Sequence, residues 1–104
     1  MPLNLFFSLL IGIATWYGSD FQGSPTYNGE IYDMNKISCA SNIYSMDTTL
    51  RVTNLENNKT VDCRVNDKGA FQYPIIVDLS YAAFKELDNP EKGVVNVIVK
   101  VINE

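Results

Sequence analysis

The chain has 104 residues, with 12 Asp and Glu against 8 Lys and Arg, giving a formal net charge of −4. Apolar residues make up 46% and charged residues 19%, which suits one packed domain and argues against disorder. No Lys/Arg cluster is present to bind nucleic acid, and a chain with no His and two Cys lacks the ligands of a structural zinc site. We therefore expect no nucleic-acid partner, no metal and no cofactor, and no His-based catalytic triad.

The chain opens on an apolar segment. Residues 3–14 resemble the hydrophobic part of a secretory signal, although no Lys or Arg precedes them. Alternatively, residues 11–17 are the first strand of the domain. We predict that residues 1–10 are a signal-like segment or N-terminal extension and that residues 11–104 form the domain. A secreted, periplasmic or cell-wall-associated protein is then expected.

A long polar segment follows. Residues 18–33 are rich in Gly, Ser and Asn, and a loop of this length in a compact domain is usually functional or disordered. It carries the acidic residues Glu30 and Asp33. Residues 36–41 then predict a short strand, on which one face is shared by Ile37, Cys39 and Ser41.

Residues 48–71 predict two strands joined by a tight turn at 56–59, where paired Asn tolerates left-handed backbone. Apolar and polar residues alternate, as in half-buried strands, with the apolar positions at Leu50, Val52, Val61, Cys63 and Val65. Extending the alternation places Asp67 on the apolar face, where acid chemistry with a raised pKa becomes possible. The alternative is that Asp67 only caps the following turn.

The last third of the chain predicts a strand, a helix and a strand. Residues 74–77 form a short buried strand, and Asp78 or Ser80 caps a helix over 81–87. A β-branched run over 94–102 closes the domain. The sum is five or six strands and one short helix, which favours a small barrel over a sandwich.

Five segments of the chain, in order, resemble the rare lipoprotein A family. They span 12–18, 26–34, 51–55, 64–69 and 76–84, and the resemblance extends from about Ile11 to Ile102. It implies a mainly β fold, a six-stranded double-psi β-barrel with one short helix, shared with expansins and some lytic transglycosylases. It also implies cleavage of peptidoglycan glycan strands by a lytic transglycosylase, a carbon–oxygen lyase acting on polysaccharide.

The resemblance carries acidic family positions onto Glu30, Asp33 and Asp67, while Ser41 stands where the family has His. Serine cannot relay a proton near neutral pH as His can. We predict that Asp67 is the catalytic acid, which protonates the glycosidic oxygen and then, as carboxylate, accepts a proton from the sugar. Glu30 and Asp33 are expected to orient substrate and to raise the pKa of Asp67 by like-charge proximity.

An alternative function is a non-catalytic, expansin-like module that binds polysaccharide or cell wall. The predicted substrate-binding residues of the groove are Trp16, Tyr17, Tyr32, Ser41 and Asn66. The alternative for the three aromatic residues is ordinary packing. A third possibility is a wall-associated domain that binds a protein partner. For all three functions we expect a monomer. For the enzyme and for the polysaccharide-binding module, the expected partner is peptidoglycan or a related polysaccharide.

Cys39 and Cys63 both lie on the apolar faces of their predicted strands. They are either two buried free thiols or a disulfide, which suits an exported protein. A disulfide would join the Ser41 strand to the Asp67 strand and hold two walls of the predicted groove together.

Overall fold

The structure, a computed structural model, describes residues 9–104, which form a closed six-stranded β-barrel with one α-helix. The elements in chain order are β1 Leu9–Tyr17, β2 Cys39–Ala40, β3 Thr49–Asn54, β4 Thr60–Asp67, β5 Ile75–Ser80, α1 Tyr81–Leu87 and β6 Val95–Asn103. Around the barrel the order is β1-β5-β2-β4-β3-β6. The β1–β5 and β2–β4 pairs are parallel and the other four pairs are antiparallel. The predicted barrel with one short helix is confirmed.

The central hairpin follows its sequence pattern. Strands β3 and β4 pair with Leu50 opposite Cys63, so the apolar residues of both strands face the core while Arg51 and Asp62 face outward. The connecting turn places Asn58 at φ 63°, the left-handed conformation that Asn tolerates better than most residues. Alternation and turn chemistry therefore specify the same register.

Helix α1 covers part of the barrel core. Its N-cap is Ser80, whose hydroxyl accepts a hydrogen bond from the Ala83 N–H at 3.2 Å. Phe84 and Leu87 are fully buried against the barrel. Of the two predicted caps, Ser80, the last residue of β5, is correct, whereas Asp78 lies two residues earlier in the same strand.

Several predicted strand boundaries differ from the structure. The strand predicted over 74–77 spans Ile75–Ser80, and the strand predicted over 94–102 spans Val95–Asn103. The strand predicted from Ile11 begins at Leu9, and the predicted N-terminal segment otherwise falls on residues 1–8, outside the described residues. The strand predicted over 36–41 contains only Cys39 and Ala40. Ile37 does not share the buried face of Cys39, because it precedes the paired residues and is 48% exposed. That part of the prediction was wrong.

Cys39 and Cys63 form a disulfide, with their Cα atoms 5.9 Å apart. Both residues are buried in the core. The bridge joins the two-residue strand β2 to the long strand β4, as the disulfide alternative predicted. Among the described residues no helix is long and apolar enough to cross a membrane.

Candidate active site

One row of side chains crosses four adjacent strands. Ala40 of β2 pairs with Asp67 of β4 on one side and with Asp78 of β5 on the other. Asp78 in turn pairs with Thr15 of β1. Because directly paired residues point to the same side of a sheet and neighbouring strands lie 4.7–4.9 Å apart, the Cα atoms of Asp67 and Asp78 are about 10 Å apart. The two carboxyl groups thus flank the small methyl group of Ala40.

The space between these carboxyl groups is a depression of about 220 Å³, which we call the acidic cleft. It is lined by Tyr17, Phe21, Ala40, Asp67, Lys68, Gly69, Ala70 and Asp78. The cleft thus combines two carboxyl groups with two aromatic rings. This combination suits a sugar, since its hydroxyl groups can meet carboxylates and its ring face can meet an aromatic side chain.

Asp67 is held at the end of β4 by backbone and side-chain donors. Its Oδ1 accepts hydrogen bonds from the N–H groups of Tyr27, at 2.8 Å, and Lys68, at 2.9 Å. The Tyr17 hydroxyl donates to its Oδ2 at 3.4 Å. The 18–33 loop therefore reaches across the cleft edge and fixes the orientation of the carboxylate.

Asp78 is a site residue that the sequence interpretation missed. Burial raises its pKa to about 6, and the nearby Asp67 carboxylate adds to this effect. A hydrogen bond of 2.8 Å from the Thr15 hydroxyl to Asp78 Oδ1 acts in the opposite direction. A lone acid inside the apolar run 75–79 was the available signal, but its position next to a helix start was interpreted as capping.

Only one of the three predicted aromatic residues lines the acidic cleft. Tyr17 does so, and burial together with the Asp67 carboxylate raises the pKa of its phenol, which therefore stays protonated. Tyr32 is buried, stacks on Tyr17 with 4.2 Å between ring centroids, and donates its hydroxyl to the Tyr17 carbonyl. Trp16 packs against Tyr81 and donates its indole N–H to the Pro90 carbonyl at 2.9 Å. Trp16 and Tyr32 thus act in packing here.

Glu30 and Asp33 lie in a second depression and not in the acidic cleft. This polar pocket, of about 250 Å³, is lined by Glu30, Ile31, Asp33, Lys36, Ile37, Ser38, Arg64 and Asn66. Glu30 accepts hydrogen bonds from Arg64, at 2.8 Å, and from Asn66 Nδ2, at 2.9 Å. These donors lower the pKa of Glu30 to about 2, so this side chain is a carboxylate at neutral pH.

The predicted groove residue Ser41 is fully buried. Its hydroxyl donates to the Ile76 carbonyl at 3.1 Å and accepts from the Ile43 N–H at 3.1 Å. The structure therefore places the Ser41 side chain inside the fold, where it stabilises the loop after β2. Asn66, by contrast, lines the polar pocket, so the predicted groove residues divide between two cavities and the interior.

The fold and the acidic cleft together define a double-psi β-barrel with a two-carboxyl site. Residues 10–99 match the family model described as lytic transglycolase, and the chain belongs to this family. It is 43% identical over 94 residues to the endolytic peptidoglycan transglycosylase RlpA of Pseudomonas aeruginosa, covering 90% of this chain and 28% of that protein. It is 45% identical over 91 residues to RlpA of Campylobacter jejuni, covering 88% of this chain and 33% of that protein.

Solved structures share the fold at lower sequence identity. A Streptomyces papain inhibitor has a TM-score of 0.73 at 21% identity, covering 91% of this chain and 94% of that one. A mutant Clavibacter michiganensis expansin in complex with cellohexaose has a TM-score of 0.70 at 21% identity, covering 91% of this chain and 50% of that one. These similarities concern the barrel architecture.

Proposed function

We propose that the protein cleaves peptidoglycan glycan strands by lytic transglycosylation, and that Asp67 and Asp78 carry the proton transfers. The observation that supports this most directly is the pairing of Ala40 with both residues, which sets two carboxyl groups across one open cleft. The names of the relatives from P. aeruginosa and C. jejuni support the choice of glycan. Peptidoglycan as substrate implies action outside the cytoplasm, in the periplasm or cell wall.

The two carboxyl groups differ in a way that suits acid–base catalysis. A general acid works best when its pKa lies near the working pH, and burial brings the pKa of Asp78 to about 6. Asp67 lies at the cleft edge, oriented by two backbone N–H groups. We assign the acid role to Asp78 and the base role to Asp67. Asp67 thus carries out one of the two proton transfers that the sequence analysis had assigned to it alone.

The reaction balances without water. Protonated Asp78 donates its proton to the glycosidic oxygen, the bond from that oxygen to the anomeric carbon breaks, and the leaving strand departs with a hydroxyl group. The Asp67 carboxylate accepts a proton from a hydroxyl group of the same sugar, whose oxygen bonds to the anomeric carbon and closes an anhydro ring. Proton exchange with solvent then returns both carboxyl groups to their starting states. Glu30 and Asp33, in the polar pocket, bind and orient the strand.

The test is incubation of the purified protein with denuded and with intact peptidoglycan, followed by mass analysis of the soluble products. We expect glycan fragments ending in anhydro sugars. Fragments with ordinary reducing ends would contradict the transglycosylase chemistry, because water would then be the nucleophile.

A second candidate function is a non-catalytic polysaccharide-binding module. The exposed rings of Phe21 and Tyr27 favour it, since both lie on the loop beside the acidic cleft and can stack on sugars without cleavage. Retention of the folded protein on insoluble cell wall with no soluble product would select this function over the enzyme.

A further inference from the structure

The loop between β2 and β3 ends in a β-bulge. The Asp47 N–H donates to the Val65 carbonyl at 2.7 Å, and the Val65 N–H donates to the Thr48 carbonyl at 2.8 Å. Two consecutive residues therefore lie opposite a single residue of β4, immediately before the regular pairing of Thr49 with Arg64. A β-bulge changes the direction in which a side chain points, so the side chain at this place decides what the bulge does.

Asp47 occupies the first position of the bulge and has φ 71°, in the left-handed region. Glycine is the usual residue at such a position, because it has no Cβ atom to clash with the backbone. Asp adopts the conformation more readily than most residues, but the backbone alone would favour glycine. The carboxylate is therefore what this residue adds to the bulge.

The Asp47 carboxylate holds one side of the Arg64 guanidinium. Arg64 Nη1 donates to Asp47 Oδ1 at 2.9 Å, and Arg64 Nη2 donates to Glu30 Oε1 at 2.8 Å. A guanidinium is planar and rigid, so contacts at both terminal nitrogens fix its orientation as well as its position. With Glu30 as its one carboxylate partner, the guanidinium could rotate about that contact.

This ion pair contributes little to the stability of the fold. The side chains of Arg64 and Asp47 are 43% and 69% exposed, and exposed ion pairs are weak because water screens the two charges. The direction that the pair gives to the Arg64 side chain is therefore its main effect. That direction matters at the other terminal nitrogen, where Arg64 meets Glu30.

Glu30 lines the polar pocket, whereas Asp47 does not. The Glu30 Oε1 atom accepts from Arg64 at 2.8 Å and from Asn66 Nδ2 at 2.9 Å. Both donors bond to the same oxygen, so neither occupies Oε2. The carboxylate is thus anchored through one oxygen and can accept a hydrogen bond from a sugar hydroxyl group through the other.

We propose that Asp47 is a positioning residue, which acts through Arg64 to set the direction in which Glu30 meets a sugar hydroxyl group. The proposal rests on the proposed function, in which Glu30 binds and orients the glycan strand. Asp47 itself contacts no sugar. Because the contact that it makes is an exposed ion pair, its loss should weaken glycan binding by about two- to fivefold.

The experiment measures binding of the Asp78→Asn protein to denuded peptidoglycan, since this protein keeps the polar pocket unchanged and is expected not to cleave. Adding Asp47→Gly should weaken binding about two- to fivefold without lowering the thermal midpoint, because glycine suits the left-handed position. The matched control is Asp62→Asn, which removes an exposed carboxylate of β4 paired with Arg51 and should leave the affinity unchanged. An affinity unchanged by Asp47→Gly, or reduced equally by Asp62→Asn, would overturn the proposal.

A Glu30→Ala background separates positioning from a structural role. If Asp47 acts through Glu30, adding Asp47→Gly to Glu30→Ala should cause no further loss of affinity. A loss of the same size in both backgrounds would mean that Asp47 acts on another group, and the proposal would be wrong. Asp47→Asn is a second variant that tolerates left-handed backbone and lacks the charge, so it should weaken binding in the same direction.

The mobility of Arg64 provides a measurement that needs no glycan. Nitrogen-15 relaxation at Arg64 Nε should give a lower order parameter in Asp47→Gly than in the native protein, and the native value in Asp62→Asn. An unchanged order parameter in Asp47→Gly would overturn the positioning role, whatever the glycan result. If Arg64 loosens but the native protein neither binds nor cleaves peptidoglycan, the positioning of Arg64 stands and the proposed function alone is refuted.

Discussion

Asp67 and Asp78 lie 11 positions apart in the chain and share one strand partner, Ala40, which pairs with both in adjacent ladders of the barrel. Ala40 has a side chain too small to fill the space between them. The charge of Asp67 also contributes to the raised pKa of Asp78, so the two groups are electrostatically coupled as well as adjacent. This relationship underlies the predictions on acid–base behaviour that follow.

The titration of Asp78 should report this coupling directly. In the native protein we expect its side-chain carboxyl group to titrate with a midpoint near pH 6, because burial disfavours the charged form. In Asp67→Asn the midpoint should fall, since a neighbouring negative charge has been removed. Carbon-13 resonance of the carboxyl groups measures both values. A midpoint unchanged by the substitution would show that the two groups do not interact.

Removing either carboxyl group should stop glycan cleavage. General acid–base groups contribute about 10²–10⁴-fold to rates, so Asp67→Asn and Asp78→Asn should each lower the release of anhydro products by at least about a hundredfold. The matched control is Asp62→Asn, which removes an exposed carboxylate of β4 that pairs with Arg51. Unchanged turnover in a folded Asp67→Asn or Asp78→Asn protein would remove that residue from the mechanism.

The Asp78→Asn protein should also be more stable than the native protein at high pH. The folded-state pKa of Asp78, about 6, exceeds the unfolded value, so the folded state binds the proton more tightly and stability falls as pH rises toward 6. Raising the pKa of a carboxyl group from its ordinary value of about 4 to about 6 lowers the free energy of unfolding at high pH by about 3 kcal/mol, and partial exposure of Asp78 reduces this effect. We therefore expect a gain of about 1–2 kcal/mol at pH 8 and little gain at pH 4.

Denaturant unfolding at the two pH values measures this difference in the free energy of unfolding. Asp67→Asn serves as the comparison, because it removes the charge that acts on Asp78 while leaving the buried carboxyl group in place. A loss of stability in Asp78→Asn at pH 8 would mean that the ionised carboxylate stabilises the fold.

Reduction of the Cys39–Cys63 disulfide should destabilise the barrel. The bridge spans 24 positions, and chain-entropy arguments give about 3 kcal/mol for a loop of that order. Strand β2 has only two residues, and the bridge adds a covalent link to its backbone pairing beside Asp67 and Asp78. Thermal unfolding with and without reductant measures the effect, and the Cys39→Ala/Cys63→Ala protein should not respond to reductant. Two free thiols in the unreduced, unfolded protein would contradict the disulfide.

The sequence by itself determined the features that depend on residues close together in the chain. Alternation predicted the inward faces of β3 and β4, Asn58 marked their turn, and Ser80 was one of two candidate caps for α1. Each follows from local physics, namely side-chain period, turn conformation and an N-terminal hydrogen bond. The resemblance of five segments to a known family supplied the barrel topology, which no local pattern specifies.

The tertiary structure alone decided which acidic groups meet. The sequence grouped Glu30 and Asp33 with Asp67, but strand register brings Asp78 to Asp67 and leaves the other two in a separate pocket. Burial likewise places Ser41 inside the fold, whereas the family resemblance had placed it in the groove. The physical reason is that contacts between β2, β4 and β5 depend on the closure of the whole barrel, whereas side-chain period reports only which face a residue occupies.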